Sequence, residues 1–280
     1  MSELVNVCES LARLGGDVLR RWEGRCRVQE KGPADLVTEA DLASQEALRD
    51  RLAQLYPEDL FLGEEDLQPS SGCAVAKTAD LLSAAGDSRV WIVDPLDGTL
   101  NYAHGVPHYA VSVAATRRGE VLAAAVYNPA AQECFTAGQS APALLNGEPI
   151  RVSRVERLSD ALVAASIPSV VRRDSVDVDR LLNVLERVQS FRRSGSAALN
   201  MCYVAAGRYD AYWAADTQVW DVAAAWLIVQ RAGGVVRGLD GGPLRLELPT
   251  PLVAATSALS DRLWQLLQPS AGDAAGAGPI

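Results

Sequence analysis

The stretch Val90-Trp91-Ile92-Val93-Asp94-Pro95-Leu96-Asp97-Gly98-Thr99-Leu100-Asn101-Tyr102 is the one around which the chain is built. Four apolar residues in succession predict a strand buried on both faces. That strand delivers Asp94, and Pro95 is expected to stop it, because proline has no N–H for the ladder and restricts the residue before it. Asp97-Gly98 reads as a turn, with Thr99 as the N-cap of the next element. Two carboxylates three positions apart at the end of a buried strand cannot both stay ionised and unpaired. Either a cation sits between them or one keeps its proton. An Asx-turn plus a cap explains one aspartate but not the pair.

Working outward, 280 residues suit one large domain or two fused halves, expected at 1–150 and 151–268, with 269–280 an Ala/Gly-rich disordered tail. Hydrophobic content of 49% with 22% charged residues is that of a globular protein. A net charge of −9 argues against a nucleic-acid partner, which clustered Lys and Arg would be needed to hold. No stretch is long and apolar enough for a membrane span, and no signal-peptide core is visible at the N-terminus. Cys8, Cys26, Cys73, Cys134 and Cys202 are widely spaced without a CxxC pair, so neither a disulfide scaffold nor a zinc site is expected, and a reducing cytoplasm is. With two histidines in the chain, oxygen ligands dominate any metal site. They favour a hard cation, Mg²⁺ before Ca²⁺ or Mn²⁺.

An amphipathic helix runs from Leu4 to about Trp22, and a loop containing Lys31 to Asp35 leads through Thr38 into a second helix ending near Leu55. Asp41 falls in the first turn of that helix, where an acid suits the dipole without further purpose. Gly63-Glu64-Glu65-Asp66 follows a short apolar run and reads by itself as a solvated loop, continued by a mobile surface insertion over 66–89. Tyr109 to Ala115 and Val121 to Tyr127 form a hairpin, extended by a strand near Cys134 and a turn at Asn146-Gly147. Further on come a strand at Leu162 to Ser166, a helix at Asp179 to Val188 and a strand at Asp210 to Trp213. A helix at Val222 to Arg231, a strand at Leu252 to Ala255 and a helix at Ser260 to Leu267 complete the chain. Gly195-Ser196 opens a helix of small residues ending near Gly207: either free N–H groups wait there for an anion, or close backbone packing selected the small side chains. Asp221, taken alone, is a plain N-cap.

Three motifs in this order resemble the inositol monophosphatase family of Mg²⁺-dependent, lithium-sensitive sugar phosphatases. They are Gly63-Glu64-Glu65, the run from Trp91 to Thr99 with Asn101-Tyr102, and Trp220-Asp221-Val222-Ala223-Ala224 ahead of Ala232-Gly233-Gly234. Asp35 to Thr38 with Asp41, and Gly195-Ser196-Ala197-Ala198, match as well. The resemblance implies a layered αβαβα sandwich of the α/β (α+β) class with mixed and antiparallel sheets, a homodimer, and two or three Mg²⁺ ions. It assigns Glu64, Asp94, Asp97, Asp221 and the Leu96 carbonyl to metal. Asp41 and Thr99, with Glu64, become the groups that orient and deprotonate the attacking water. Gly98, Thr99, Gly195, Ser196 and Ala197 fall beside phosphate or substrate, with Leu96, Asp97 and Asp221 bordering them.

The implied activity is hydrolysis of a small phosphomonoester resembling inositol 1-phosphate. Histidinol-phosphate and fructose-1,6-bisphosphate phosphatases are alternatives on the same scaffold, and a non-catalytic binding protein is the alternative of another class. Two departures bear on substrate. Ala214 stands where inositol-selective members commonly carry an acid, with Asp216 nearby, and the segment between Glu65 and Trp91 is long. A broad phosphatase is therefore expected, with Asp216 able to replace the acid only if its loop turns inward.

Overall fold

Strand Val90–Asp97 is buried along its whole length, as four consecutive apolar residues predict. The protein was analysed as a computed structural model that describes residues 3–25, 28–32, 35–66, 73–168, 171–247 and 249–268. The expected disordered tail lies outside these residues. In chain order the elements are α1 (Glu3–Trp22), a hairpin of β1 (Val28–Gly32) and β2 (Asp35–Thr38), α2 (Glu39–Leu55), β3 (Leu60–Gly63), α3 (Cys73–Ala84), β4 (Val90–Asp97) and α4 (Thr99–Ala103). An antiparallel run follows: β5 (Ala110–Arg117), β6 (Glu120–Asn128), β7 (Glu133–Gly138), β8 (Ala141–Leu145) and β9 (Glu148–Pro149). The remainder is β10 (Leu162–Ser166), α5 (Val176–Leu185), β11 (Ser190–Arg192), α6 (Ala197–Ala205), β12 (Ala211–Ala214), α7 (Val219–Arg231), β13 (Val235–Gly238), β14 (Pro251–Ala254) and α8 (Ser257–Leu267).

Two large sheets result, a seven-stranded one ordered β3-β4-β5-β6-β7-β8-β9 and a five-stranded one ordered β11-β10-β12-β14-β13. Side-chain alternation assigns the layers. Trp91 and Val93 of β4 pack with Leu11 and Leu19 of α1 and Leu48 of α2. Val90 and Ile92 face the other way, into a core shared with α6, α7 and residues Ala164, Tyr212 and Val253 of the five-stranded sheet. The opposite face of that sheet, including Val163, Trp213 and Leu252, is covered by Val184 of α5 and Leu259 and Leu263 of α8. The order helices, sheet, helices, sheet, helices is the αβαβα sandwich expected. No helix among the described residues is long and apolar enough to cross a membrane.

Several local expectations need correction. The hairpin β1–β2 occupies a segment expected to be loop, and 66–89 holds helix α3. The helix expected from Asp179 starts three residues earlier, at Val176; Leu182 and Leu185 are exposed while Val184 is buried. Pro95 does not end β4, because the strand continues to Asp97 across an irregularity in its pairing with β5.

Candidate active site

That irregularity positions the acids. Asp94 pairs with Ser112 and Asp97 with Ala110, so three steps along β4 match two along β5. In a regular strand, residues 94 and 97 would point to opposite faces. The extra residue of this bulge turns both toward the α6–α7 layer, and Pro95 is tolerated where a ladder hydrogen bond is already missing. Leu96 points back into the core beneath α1 and α2. Ser44 donates its hydroxyl to the Pro95 carbonyl at 3.1 Å, fixing the kink to α2.

Each aspartate is held by backbone. The Leu96 N–H donates to Asp94 Oδ1 at 2.9 Å, an Asx-turn. Asp97 accepts from the Ser196 hydroxyl and from the N–H groups of Ala197 at 3.1 Å and Ala198 at 2.8 Å. The first-turn donors of α6 are thus taken by the protein's own carboxylate, so the anion expected there is Asp97. Ser196 is fully enclosed, caps α6 through Leu199 N–H at 3.2 Å, and presents its hydroxyl to Asp97 rather than to solvent. Asp221 is the third residue of α7, not its cap: Gln218 is the cap, and its N–H donates to Asp221 Oδ2 at 2.7 Å. Ser112, opposite Asp94 in the ladder, donates to the Trp220 carbonyl at 3.2 Å and so draws the start of α7 against β4. Glu64 opens a single 3₁₀ turn after β3, whose Gly63 pairs with Val93 one residue before Asp94. Gln45 supports that turn by accepting from Glu65 N–H at 2.9 Å.

Burial pushes Asp94 well above the ordinary carboxylate range, and the charges that add most to it, from Glu64, Asp97 and Asp221, are all negative. Burial raises Asp97 to about 6 against the hydrogen bonds from Ser196, Ala198 and Ala197. Asp221 rises to about 7, by burial first and then by Asp97. Among the described residues no group of three or more His, Cys, Asp or Glu side chains is spaced as it would be around a metal ion. The donor chemistry nevertheless fits a hard divalent cation: oxygen ligands gathered in the interior, whose main charged neighbours are one another, are relieved by positive charge between them.

Beside the cluster stands Asp41, fully buried, with Oδ2 accepting from Thr38 N–H at 2.9 Å and the Thr38 hydroxyl at 2.5 Å. Its Oδ1 accepts from the Thr99 hydroxyl at 3.1 Å. Burial raises Asp41 to about 6. Gly98, left-handed at φ 92°, is the residue that precedes and caps α4, so Thr99 is released from the expected cap role. A cleft of about 380 Å³ opens over Asp97 and Asp221, bordered by Gly195, Ala197, Ser166 and Asn101 and, toward its mouth, by Arg193 and Asp216. Ala214 is enclosed in the central core, whereas Asp216 is exposed and borders the cleft. Sequence reasoning misses the supporting parts played by Ser112, Gln45 and Asn101. Asn101 is marked by its place in the quoted motif though not by a role, and Ser112 by a hydroxyl within the apolar run Ala110–Ala115.

Residues 1–271 match the model of the inositol monophosphatase family. An inositol-1-monophosphatase of Rhizobium meliloti is 36% identical over 95% of this chain and 97% of its own length. A Nus factor SuhB of Pseudomonas aeruginosa is likewise 36% identical, over 96% of this chain and 97% of its own. The crystal structure of the extragenic suppressor protein suhB from Bartonella henselae superposes with a TM-score of 0.83 at 34% identity, covering 95% of this chain and 99% of that one. Similarity running end to end, with the bulged strand, the acids and the cleft on one continuous scaffold, places this chain in the inositol monophosphatase family and makes it a phosphatase.

Proposed function

We propose that the protein hydrolyses a small phosphomonoester, inositol 1-phosphate or a close polyol relative, in a Mg²⁺-dependent reaction in which water attacks phosphorus directly. The observation that carries this reading is the convergence of Asp94, Asp97 and Asp221 on one buried site where the main charges acting on Asp94 are other acids. Glu64, Asp94, Asp97, Asp221 and the Leu96 carbonyl would hold two or three Mg²⁺ ions. Bound there, such ions neutralise the phosphate, lower the pKa of water and stabilise the leaving oxygen.

The chain's own part is positioning and proton transfer. Thr99 takes the proton of the attacking water as it gives its own to Asp41, which is inaccessible to solvent and is reached through Thr99. A carboxylate raised to about 6 is matched to accepting a proton near neutrality. Gly195 and Ala197 border the cleft and would stand beside the phosphate, with Gly98 and Thr99 at the end of β4 as its further neighbours. Arg193, Ser166 and Asp216 line the alcohol side and suit the hydroxyls of a polyol. A purely binding role leaves the buried acids without a purpose, and a net charge of −9 disfavours a nucleic-acid ligand.

The test is phosphate release from a panel of polyol, sugar and amino-alcohol phosphates with Mg²⁺ and with EDTA. Turnover should need the metal, and Asp94→Asn or Asp221→Asn should lower it by orders of magnitude. Full activity in EDTA overturns the reading.

A further inference from the structure

Two loops meet on one side-chain nitrogen of helix α4, beside the cleft. Asn101, in the short helix α4 just after Gly98, donates from Nδ2 to the His108 carbonyl at 2.7 Å and to the Ser194 carbonyl at 2.7 Å. Both partners are acceptors, so the NH₂ end of the carboxamide must face them. Both protons of that nitrogen are therefore used. The Ser194 hydroxyl in turn donates to Oδ1 of Asn200, a fully buried residue of α6. Gly195 packs directly on the carboxamide: its φ is 87°, and a Cβ there would stand 2.8 Å from Asn101 Nδ2. The same loop approaches Gly98 so closely that a Cβ on Gly98 would lie 3.2 Å from the Gly195 carbonyl oxygen.

We propose that Asn101 is a positioning residue, whose carboxamide ties the Ser194–Gly195 loop to the turn after β4 and so sets the width of the phosphate-binding end of the cleft. This rests on the phosphatase reading above. Asp97 already couples the same two segments through α6, but its bonds begin at Ser196. Asn101 holds the backbone immediately before that point, where Gly195 borders the cleft. Releasing it leaves Asp94, Asp97 and Asp221 on their own supports and loosens only the wall that touches phosphate. A contact of that kind is felt alike in ground state and transition state, and its loss appears in KM.

Steady-state kinetics on the full chain with saturating Mg²⁺ provide the test. Asn101→Ala should raise KM about tenfold while kcat stays within about threefold of wild type, as loss of uniform binding requires. Asn101→Asp keeps the shape, replaces the donors with acceptors facing two carbonyls, and should raise KM at least as much. Gly195→Ala pushes into the carboxamide and should raise KM on its own. In the Asn101→Ala background its added effect should shrink, because the group it strikes is gone. A role confined to stability would lower the melting temperature and leave KM untouched, and an unchanged KM in Asn101→Ala overturns the proposal. Should both Asn101 variants fail to fold, Asn101→Gln decides, since it keeps the buried amide but on a stem too long to hold both carbonyls: a raised KM supports the tie and an unchanged KM overturns it. A wild type that releases no phosphate with Mg²⁺ overturns the phosphatase reading and this one together, whereas an active wild type with unaltered variants overturns only this one.

Discussion

Thr99 has one hydroxyl proton and two acceptors in reach, the Leu96 carbonyl at 3.0 Å and the Asp41 carboxylate at 3.1 Å. If it relays the proton of the attacking water, Thr99→Ala should lower kcat by about 10²–10⁴-fold, the usual worth of general-base assistance. Thr99→Ser, which keeps the hydroxyl, should lose far less. Because Gly98 caps α4, the alanine variant should melt close to wild type; a large loss of stability with an intact kcat would mean that Thr99 only braces the turn. At this scale the aspartates were legible in the sequence. Their number and spacing cannot be accommodated in a buried strand without a cation or a proton, and the structure duly gives Asp94 only acids as its main charged neighbours. What each one leans on was not legible. Asp41 reads as a dipole-favouring acid and Asp221 as a cap, and both do sit in first helical turns. The added fact, that Asp41 meets Thr99 across 58 positions of sequence, is tertiary and leaves no mark in local pattern.

The bulge in β4 and the start of α6 are the two elements that aim the acids. Pro95 signalled a break in the ladder, and an interruption occurs there. Pairing with β5 nevertheless resumes at Asp97, beyond the end of β3 opposite Val93, so the proline shifts register and does not terminate the strand. At α6 the sequence offered two readings for its small residues, and the structure supplies a third component: the anion on the helix N-terminus is internal. Ser196 serves both ends of that arrangement, accepting from Leu199 N–H and donating to Asp97. Ser196→Ala should therefore cost about 1–2 kcal/mol through the lost cap and lower the melting temperature by about 2–4 °C per kcal/mol. It should also raise the Mg²⁺ concentration needed for half-maximal activity, since Asp97 loses one of its supports. Ser196→Thr should restore both. A variant that melts early yet needs no more Mg²⁺ would confine Ser196 to capping. Boundaries were least legible where amphipathic signals are weak. On α5, Leu182 and Leu185 are exposed while Val184 is buried and Val188 beyond the helix packs on the core. The segment 66–89, polar enough to read as loop throughout, has in Cys73–Ala84 a run that forms a helix.

For the whole molecule, alternation in the strands and the three-to-four spacing in α1 forecast two-sided packing. The stacking of five layers came only with the family resemblance, since periodicity does not say which sheet a strand joins. The assembled core has a thermodynamic consequence. Asp41 and Asp97 are raised to about 6 and Asp221 to about 7, from an ordinary 3.8, and burial raises Asp94 well above the same ordinary value. Between about pH 4 and pH 7 the unfolded chain releases protons that the cation-free folded protein retains, so the folded state binds more protons in that window. Stability is then fully present below the unfolded pKa and is lost as pH rises through the folded values. Cation-free protein should melt at a higher temperature near pH 5 than near pH 7.5, as far as these carboxyls control it. On the proposed function, Mg²⁺ should act in the opposite sense, because it would bind the deprotonated carboxylates and only the folded state gathers them. At about a hundredfold excess over its Kd a cation adds about 2.7 kcal/mol, and that gain should be nearly complete near pH 7.5 and much reduced near pH 5, where protons compete. Melting curves with EDTA and with Mg²⁺ at the two pH values give four numbers, and the expected pattern is a larger Mg²⁺-induced rise at the higher pH. Asp94→Asn removes a titrating carboxyl that is a proposed ligand, and should flatten both the pH dependence and the Mg²⁺ response. Equal Mg²⁺ shifts at the two pH values, or a response undiminished in Asp94→Asn, would mean that the buried acids are not where the cation binds.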